Sequence, residues 1–161
     1  KFMQLEITNA VQTASTVWQD TAPTSSVFSI GTSTYVNQSS SNFIAYCFHS
    51  VEGYSKCGVY TGNGSTDGVY VHLGFRASWI MIKRSDSTAS WPMFDNLREG
   101  YNVDNDYVYA DLSNAEGTAD LLDLTSNGFK ARSTSSAVNA SGGTYIFLAF
   151  ASAPFKSANA R

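Results

Sequence analysis

The chain has 161 residues, 43% hydrophobic, 14% aromatic and 14% charged, with a formal net charge of −3. That length suffices for one domain with a sizeable core, because a chain of about 150 residues hides roughly 68–70% of its unfolded surface. The charge excludes a strongly basic nucleic-acid binder. No apolar run reaches the 18 or so residues that span a bilayer, and two His with two Cys exclude a finger-type zinc site.

Strand signals dominate the chain in order. Aromatic and β-branched residues cluster at 2–7, 27–31, 43–51, 58–60, 69–73, 78–84, 91–95, 107–109, 121–124, 128–132 and 144–151. Clusters of Gly, Ser, Asn and Asp separate these runs, as at Gly62-Asn63-Gly64 and Ser141-Gly142-Gly143. The best helical stretch, 115–124, is spoiled by Gly117. So many short strands predict an all-β, antiparallel β-sandwich of jelly-roll or lectin-like kind. Two strands, 78–82 and 145–150, are apolar on both faces and are expected at the centre of a sheet.

Four short matches recur in the same order. Ile7-Thr8-Asn9-Ala10 matches Leu112-Ser113-Asn114-Ala115 at an offset of 105, and Thr24 to Phe28 matches Thr125 to Phe129 at 101. Val36-Asn37-x-Ser39 matches Val138-Asn139-x-Ser141 at 102, and Phe43-Ile44 with Phe48 matches Tyr145-Ile146 with Phe150 at 102. This points to an internal repeat of about 100 residues. Residues 1–50 read as the back half of one unit and 51–155 as a complete second unit, all within a single domain over 1–155. In one version of this reading the half-unit lends strands to the sheets of the full unit. Residues 156–161 form a C-terminal tail, within an Ala/Ser-rich stretch that begins at Ser152.

Cys47 lies in an apolar run and Cys57 beside Gly58; two buried free thiols are expected, with a hairpin disulfide as the alternative. Asp104-Asn105-Asp106 with Asp111 reads as a solvated turn that leaves a weak calcium site open. No metal or cofactor is assigned. No nucleophile elbow, P-loop or zincin motif is present, and no acid/base pair can be named. The chain therefore reads as a non-enzyme. A carbohydrate site would combine aromatic faces with Asn, Asp and Gly. The loop from Tyr60 to Gly68 and the segment around Trp91 have that make-up, which gives Tyr60, Asn63, Asp67 and Trp91 as candidate ligand-binding residues. Trp18 is a further isolated aromatic in a polar segment, equally suited to packing on a neighbouring subunit.

Several stretches resemble a domain found in virion proteins of tailed bacteriophages, many of them marine. They are Trp18-Gln19-Asp20-Thr21-Ala22-Pro23-Thr24-Ser25-Ser26-Val27-Phe28, Phe43-Ile44-Ala45-Tyr46-Cys47-Phe48, Val51-Glu52-Gly53-Tyr54-Ser55-Lys56, Tyr60-Thr61-Gly62-Asn63-Gly64, Trp79-Ile80-Met81-Ile82-Lys83-Arg84 and Leu112-Ser113-Asn114-Ala115-Glu116. The resemblance runs from about Trp18 to Lys156. It implies a tail-fibre or receptor-binding module that contacts host-cell surface polysaccharide. Such a module would sit in a virion assembled in the bacterial cytoplasm, pair with other virion proteins and form a homo-oligomer, with a trimer favoured. No nucleic acid and no membrane insertion are expected. Two alternatives stand beside it: a purely structural virion component, such as a capsid decoration or fibre spacer, and a secreted carbohydrate-binding module.

Overall fold

A computed structural model describes residues 1–98 and 106–153. Among these residues eight strands form two antiparallel sheets. The strands are β1 (Ser55–Thr61), β2 (Tyr70–His72), β3 (Ala77–Arg84), β4 (Pro92–Asp95), β5 (Tyr107–Tyr109), β6 (Leu122–Thr125), β7 (Gly128–Ala131) and β8 (Thr144–Ala151). The larger sheet runs β1-β8-β3-β4-β5 and the smaller runs β2-β7-β6. Every one of these strands had a counterpart in the sequence pattern. The two doubly apolar strands, β3 and β8, are adjacent and interior in the larger sheet, because only a strand paired on both edges and covered on both faces suits such a sequence.

Alternation along the strands makes the sandwich. Ile80 and Ile82 of β3, Phe94 of β4, and Tyr145, Phe147 and Ala149 of β8 point inward, where they meet Leu122 and Leu124 of β6 and Phe129 of β7. Successive side chains point to opposite faces of a strand. Hence Trp79, Met81 and Lys83 on β3, and Ile146, Leu148 and Phe150 on β8, lie on the outer face. The core is dominated by rings. Tyr60 stacks on Tyr145 at 4.9 Å, and Phe129 meets Tyr60 and Phe147 edge-on at 5.7 and 5.4 Å. Edge-to-face and offset stacking are the favoured geometries for such pairs.

Residues 1–50 differ from expectation. The predicted strands at 2–7, 27–31 and 43–51 are not formed; the segment instead contains two one-turn helices, α1 (Ser15–Trp18) and α2 (Thr34–Asn37). Nor does the segment lend a strand to either sheet, since both are built from residues 55–151. The local sequence suits strands, but a strand also needs an edge to pair with. Only isolated bridges, Phe2 with Gln12 and Val51 with Ser55, occur there.

The N-terminal arm is tied to the outer face by a few directed bonds. Val11 N–H donates to Ser85 O at 2.8 Å and Ala89 N–H to Thr8 O at 3.0 Å. Lys83, fully buried, donates from Nζ to Thr8 O and Arg84 O at 3.0 and 2.9 Å, and Trp91 Nε1 donates to Ile7 O at 3.1 Å. Among the described residues no helix is long and apolar enough to cross a membrane.

Candidate functional site

The four sequence-predicted ligand residues separate into two buried and two loop positions. Tyr60 is buried between the sheets, and its hydroxyl donates to Val138 O at 2.7 Å. Burial pushes its phenol well above the ordinary range, and neighbouring Tyr145 adds to the effect. Trp91 is buried on the opposite side of the larger sheet, under the N-terminal arm. Tyr60 is thus a core ring with no face free for a sugar, which corrects the expectation that it would line a ligand site, and Trp91 is largely covered and meets solvent where it walls the groove described below. An aromatic beside Gly and Asn has the same composition in a turn-flanking core strand as in a sugar site, so composition could not separate the two.

Asn63 and Asp67 do share one loop, and that loop is held by the protein itself. Asn139 is fully buried at its base. Its Oδ1 accepts from Asn63 N–H at 2.9 Å, and its Nδ2 faces Asn63 Oδ1, Ser65 O and Ser133 O at 2.9, 2.8 and 3.0 Å. Asn63 Nδ2 in turn donates to Asp67 O at 3.1 Å. The asparagine pair thus spends its polar atoms on the loop. Backbone spacing enforces the same closeness: a Cβ on Gly62 would sit 2.3 Å from Ala140 O, and Gly64 takes φ +67°. The Asp67 carboxylate projects into solvent and pairs with Lys130. The hydrogen bond and charge of that ammonium hold its pKa below the usual value.

At the same end Asp86 ties two chain segments together. It accepts from Arg84 Nε and Nη2 at 3.0 Å each and from Thr144 N–H at 2.9 Å. These bonds hold its carboxyl near a pKa of about 2, against an ordinary 3.8, chiefly through Arg84. A carboxylate with a depressed folded pKa contributes stability above its unfolded pKa and loses it as pH falls through the folded one. Stability should therefore decline between pH 3.8 and about 2 with a contribution from this residue. Asp86→Asn should show a shallower acid limb than the parent when urea midpoints are measured across that range; an unchanged limb would contradict the role.

Two further concave surfaces lie among the described residues. The first is a shallow, almost wholly apolar groove of about 370 Å³ on the outer face of the larger sheet, walled by Phe48, Val59, Met81, Trp91, Ile146 and Leu148. Val59 at its rim is 65% exposed. Cys57 also lines it. Both cysteines are free, as one sequence reading held, but both are exposed rather than buried; the strand predicted at 43–51, which would have carried Cys47 into a sheet, does not form. Desolvation raises the Cys57 thiol pKa. Lys83 reaches the groove wall with its stem, while its ammonium is locked on two carbonyls and lies 5.7 Å from the Trp91 ring centroid. Desolvation lowers its pKa, against the pull of Asp111. Asp111 accepts from Trp91 N–H at 3.0 Å through Oδ1, and its buried Oδ2 has no hydrogen-bond partner among the described residues.

The second surface is a cleft of about 290 Å³ in the N-terminal segment, between residues 2–6 and the two short helices. Trp18 and exposed Tyr35 flank it beside Gln4 and Glu6. Trp18 leans edge-on against Phe28 at 6.1 Å. The sequence had marked Trp18; Tyr35, Gln4 and Glu6 carried no signal, because segments well separated in the chain bring them together. Of the suggested acidic turn, Asp104 and Asn105 lie outside the described residues.

The fold and these surfaces define an all-β domain of two antiparallel sheets, with much apolar surface left open on the larger sheet and the N-terminal segment. The chain belongs to the family described as a domain of unknown function, DUF7483, which it matches over residues 1–154. No curated protein matches it, and no solved structure does.

Proposed function

We propose that this chain is a non-enzymatic assembly module of a tailed-bacteriophage virion protein, working as a structural part of a tail fibre or a similar particle component. The observation that carries the reading is the open apolar surface. The outer groove with Val59, and the run Phe43, Ile44, Tyr46 and Phe48 at 50, 81, 79 and 57% exposure, leave more apolar side chain in solvent than single scattered residues would. Contiguous apolar surface of this kind marks protein–protein contact. The resemblance in residues 18–156 supports the virion setting, and a neutral, hydroxyl-rich remainder suits a repeating structural part. In this reading the module is a homo-oligomer, with the trimer favoured, and its neighbours are other virion proteins.

Sedimentation velocity of the purified 17.4 kDa chain tests it. The expected result is a concentration-dependent oligomer that Val59→Glu with Leu148→Glu converts to a folded monomer. A chain that stays monomeric at high concentration, or one absent from purified virions by mass spectrometry, would sink the reading.

The N-terminal cleft favours a second reading, receptor contact by a lectin-like surface. An aromatic pair beside a carboxylate and an amide is the composition that grips sugar rings. Labelled chain should then bind bacterial cells in competition with their extracted polysaccharide. Trp18→Ala or Tyr35→Ala should abolish that binding, while Asp67→Ala leaves it intact. Saturable binding that survives both aromatic changes would exclude the cleft.

A further inference from the structure

We infer that residues 24–50 are the back half of a second sandwich unit, built to be completed by a chain segment patterned like residues 51–105. The carrying observation is a turn that occurs twice with the same hydrogen bonds, displaced by 102 residues. Ser33 Oγ accepts from Tyr35 N–H at 3.3 Å, and Ser135 Oγ accepts from Ala137 N–H at 3.3 Å. Ser33 O accepts from Val36 and Asn37 N–H at 3.1 and 2.9 Å, and Ser135 O accepts from Val138 and Asn139 N–H at 3.1 and 2.7 Å. Asn37 Nδ2 donates to Gly31 O at 2.8 Å, where Asn139 Nδ2 donates to Ser133 O at 3.0 Å. Ser41 N–H donates to Gln38 O at 3.2 Å, where Gly143 N–H donates to Ala140 O at 3.0 Å. Ser40 takes φ +62° and Gly142 φ +71°. Ser, Val and Asn at matched places produce matched geometry, so the sequence repeat continues into backbone conformation.

The two copies differ in what surrounds them. The second turn is gripped by the loop after β1. Asn139 holds Asn63 and Ser65, Gly62 N–H donates to Gly143 O at 2.8 Å, and Gly142 N–H donates to Gly62 O at 2.9 Å. In the first turn Asn37 is exposed, and among the described residues its carboxamide bonds only within the turn, to Gly31 O. The second turn leads into β8, which is paired on both edges by β1 and β3. The first leads into residues 42–49, in which Phe43, Ile44, Tyr46, Cys47 and Phe48 stand where β8 has Tyr145, Ile146, Leu148, Ala149 and Phe150. Among the described residues no backbone-to-backbone hydrogen bond reaches residues 42–49, and every one of them is exposed. Phe43 lacks the hydroxyl with which Tyr145 accepts from Ala140 N–H, so the copies are not identical.

A segment of this composition beside a turn whose asparagine grips no second segment is complementary to one kind of partner. That partner supplies two strands like β1 and β3 to flank residues 42–49. It also supplies a Gly-Asn-Gly-Ser loop to fill the Asn37 carboxamide. Residues 51–85 have that pattern within this chain, but there they already complete β8. The occupant is therefore another segment of the same repeat type. This inference does not need the virion setting; it takes residues 43–48 out of the assembly surface proposed above and leaves that contact to the groove around Val59 and Leu148.

The test joins a second copy of residues 51–105 ahead of Lys1 of the whole chain and follows amide hydrogen exchange. In the chain alone, amides of residues 43–48 should exchange at nearly unprotected rates while those of 144–151 are protected. In the extended chain, exchange at 43–48 should slow at least about tenfold. Asn37→Ala should then lower the urea midpoint of the extended chain and leave that of the parent unchanged. Fast exchange at 43–48 in an extended chain whose 144–151 remain protected would overturn the inference, as would protection already present in the monomeric parent. Protection in the parent that rises with concentration would assign the segment to a second copy and overturn the occupant named here.

Discussion

Phe129→Ala is expected to destabilise the chain by about 3–5 kcal/mol, the range for removing a fully buried Phe from a packed core. Phe129 is fully buried and stands between Tyr60 of the larger sheet and Phe147 on the strand beside it. It is thus the ring that joins the two layers. Little neighbouring backbone can collapse into the vacated space, because β7 is paired on both edges, by β2 and β6. For a domain of this size that loss corresponds to a fall in melting temperature of roughly 10 °C. Calorimetry decides it: a drop of only a degree or two would mean the two sheets are not held together through this ring.

Asn139→Ala is expected to cost about 3 kcal/mol. It leaves one N–H and three oxygens of the loop end without their partner, at about 1–3 kcal/mol for each group that water fails to reach. The same change at Asn37 should be near neutral in this chain. The two asparagines sit in turns of like geometry, but only Asn139 clamps a second segment. Urea unfolding of both variants, with exchange at residues 63–67 as a local readout, checks the contrast. Equal effects at the two sites would show that the value of Asn139 lies within its own turn.

Much of the fold was legible in the sequence. All eight strands fall on runs of aromatic and β-branched residues bounded by Gly, Ser, Asn and Asp, and β5 and β8 coincide with the predicted runs. The central places of β3 and β8 followed from apolar residues on both faces. The site was legible only in part. Asn63 and Asp67 were singled out, yet the residue that orders their loop, Asn139, lies 76 positions from Asn63. Its signal was the match of Val138-Asn139-x-Ser141 to Val36-Asn37-x-Ser39, which says nothing of the partner it grips.

What the sequence alone determined was periodicity: which stretches alternate, where the chain turns, and which turn recurs at an offset of 102. Those properties are local and depend on φ/ψ preference and side-chain spacing. Tertiary structure decided which face of each strand is covered and whether a strand finds an edge. Tyr60 and Trp91 look alike in composition, yet they point into opposite sides of the same sheet. Residues 43–48 and β8 have kindred sequences, yet only β8 has strands on both flanks. The reason is physical. A backbone N–H or C=O in a strand is satisfied by a neighbour distant in sequence, so β-propensity states a need whose fulfilment depends on the rest of the molecule.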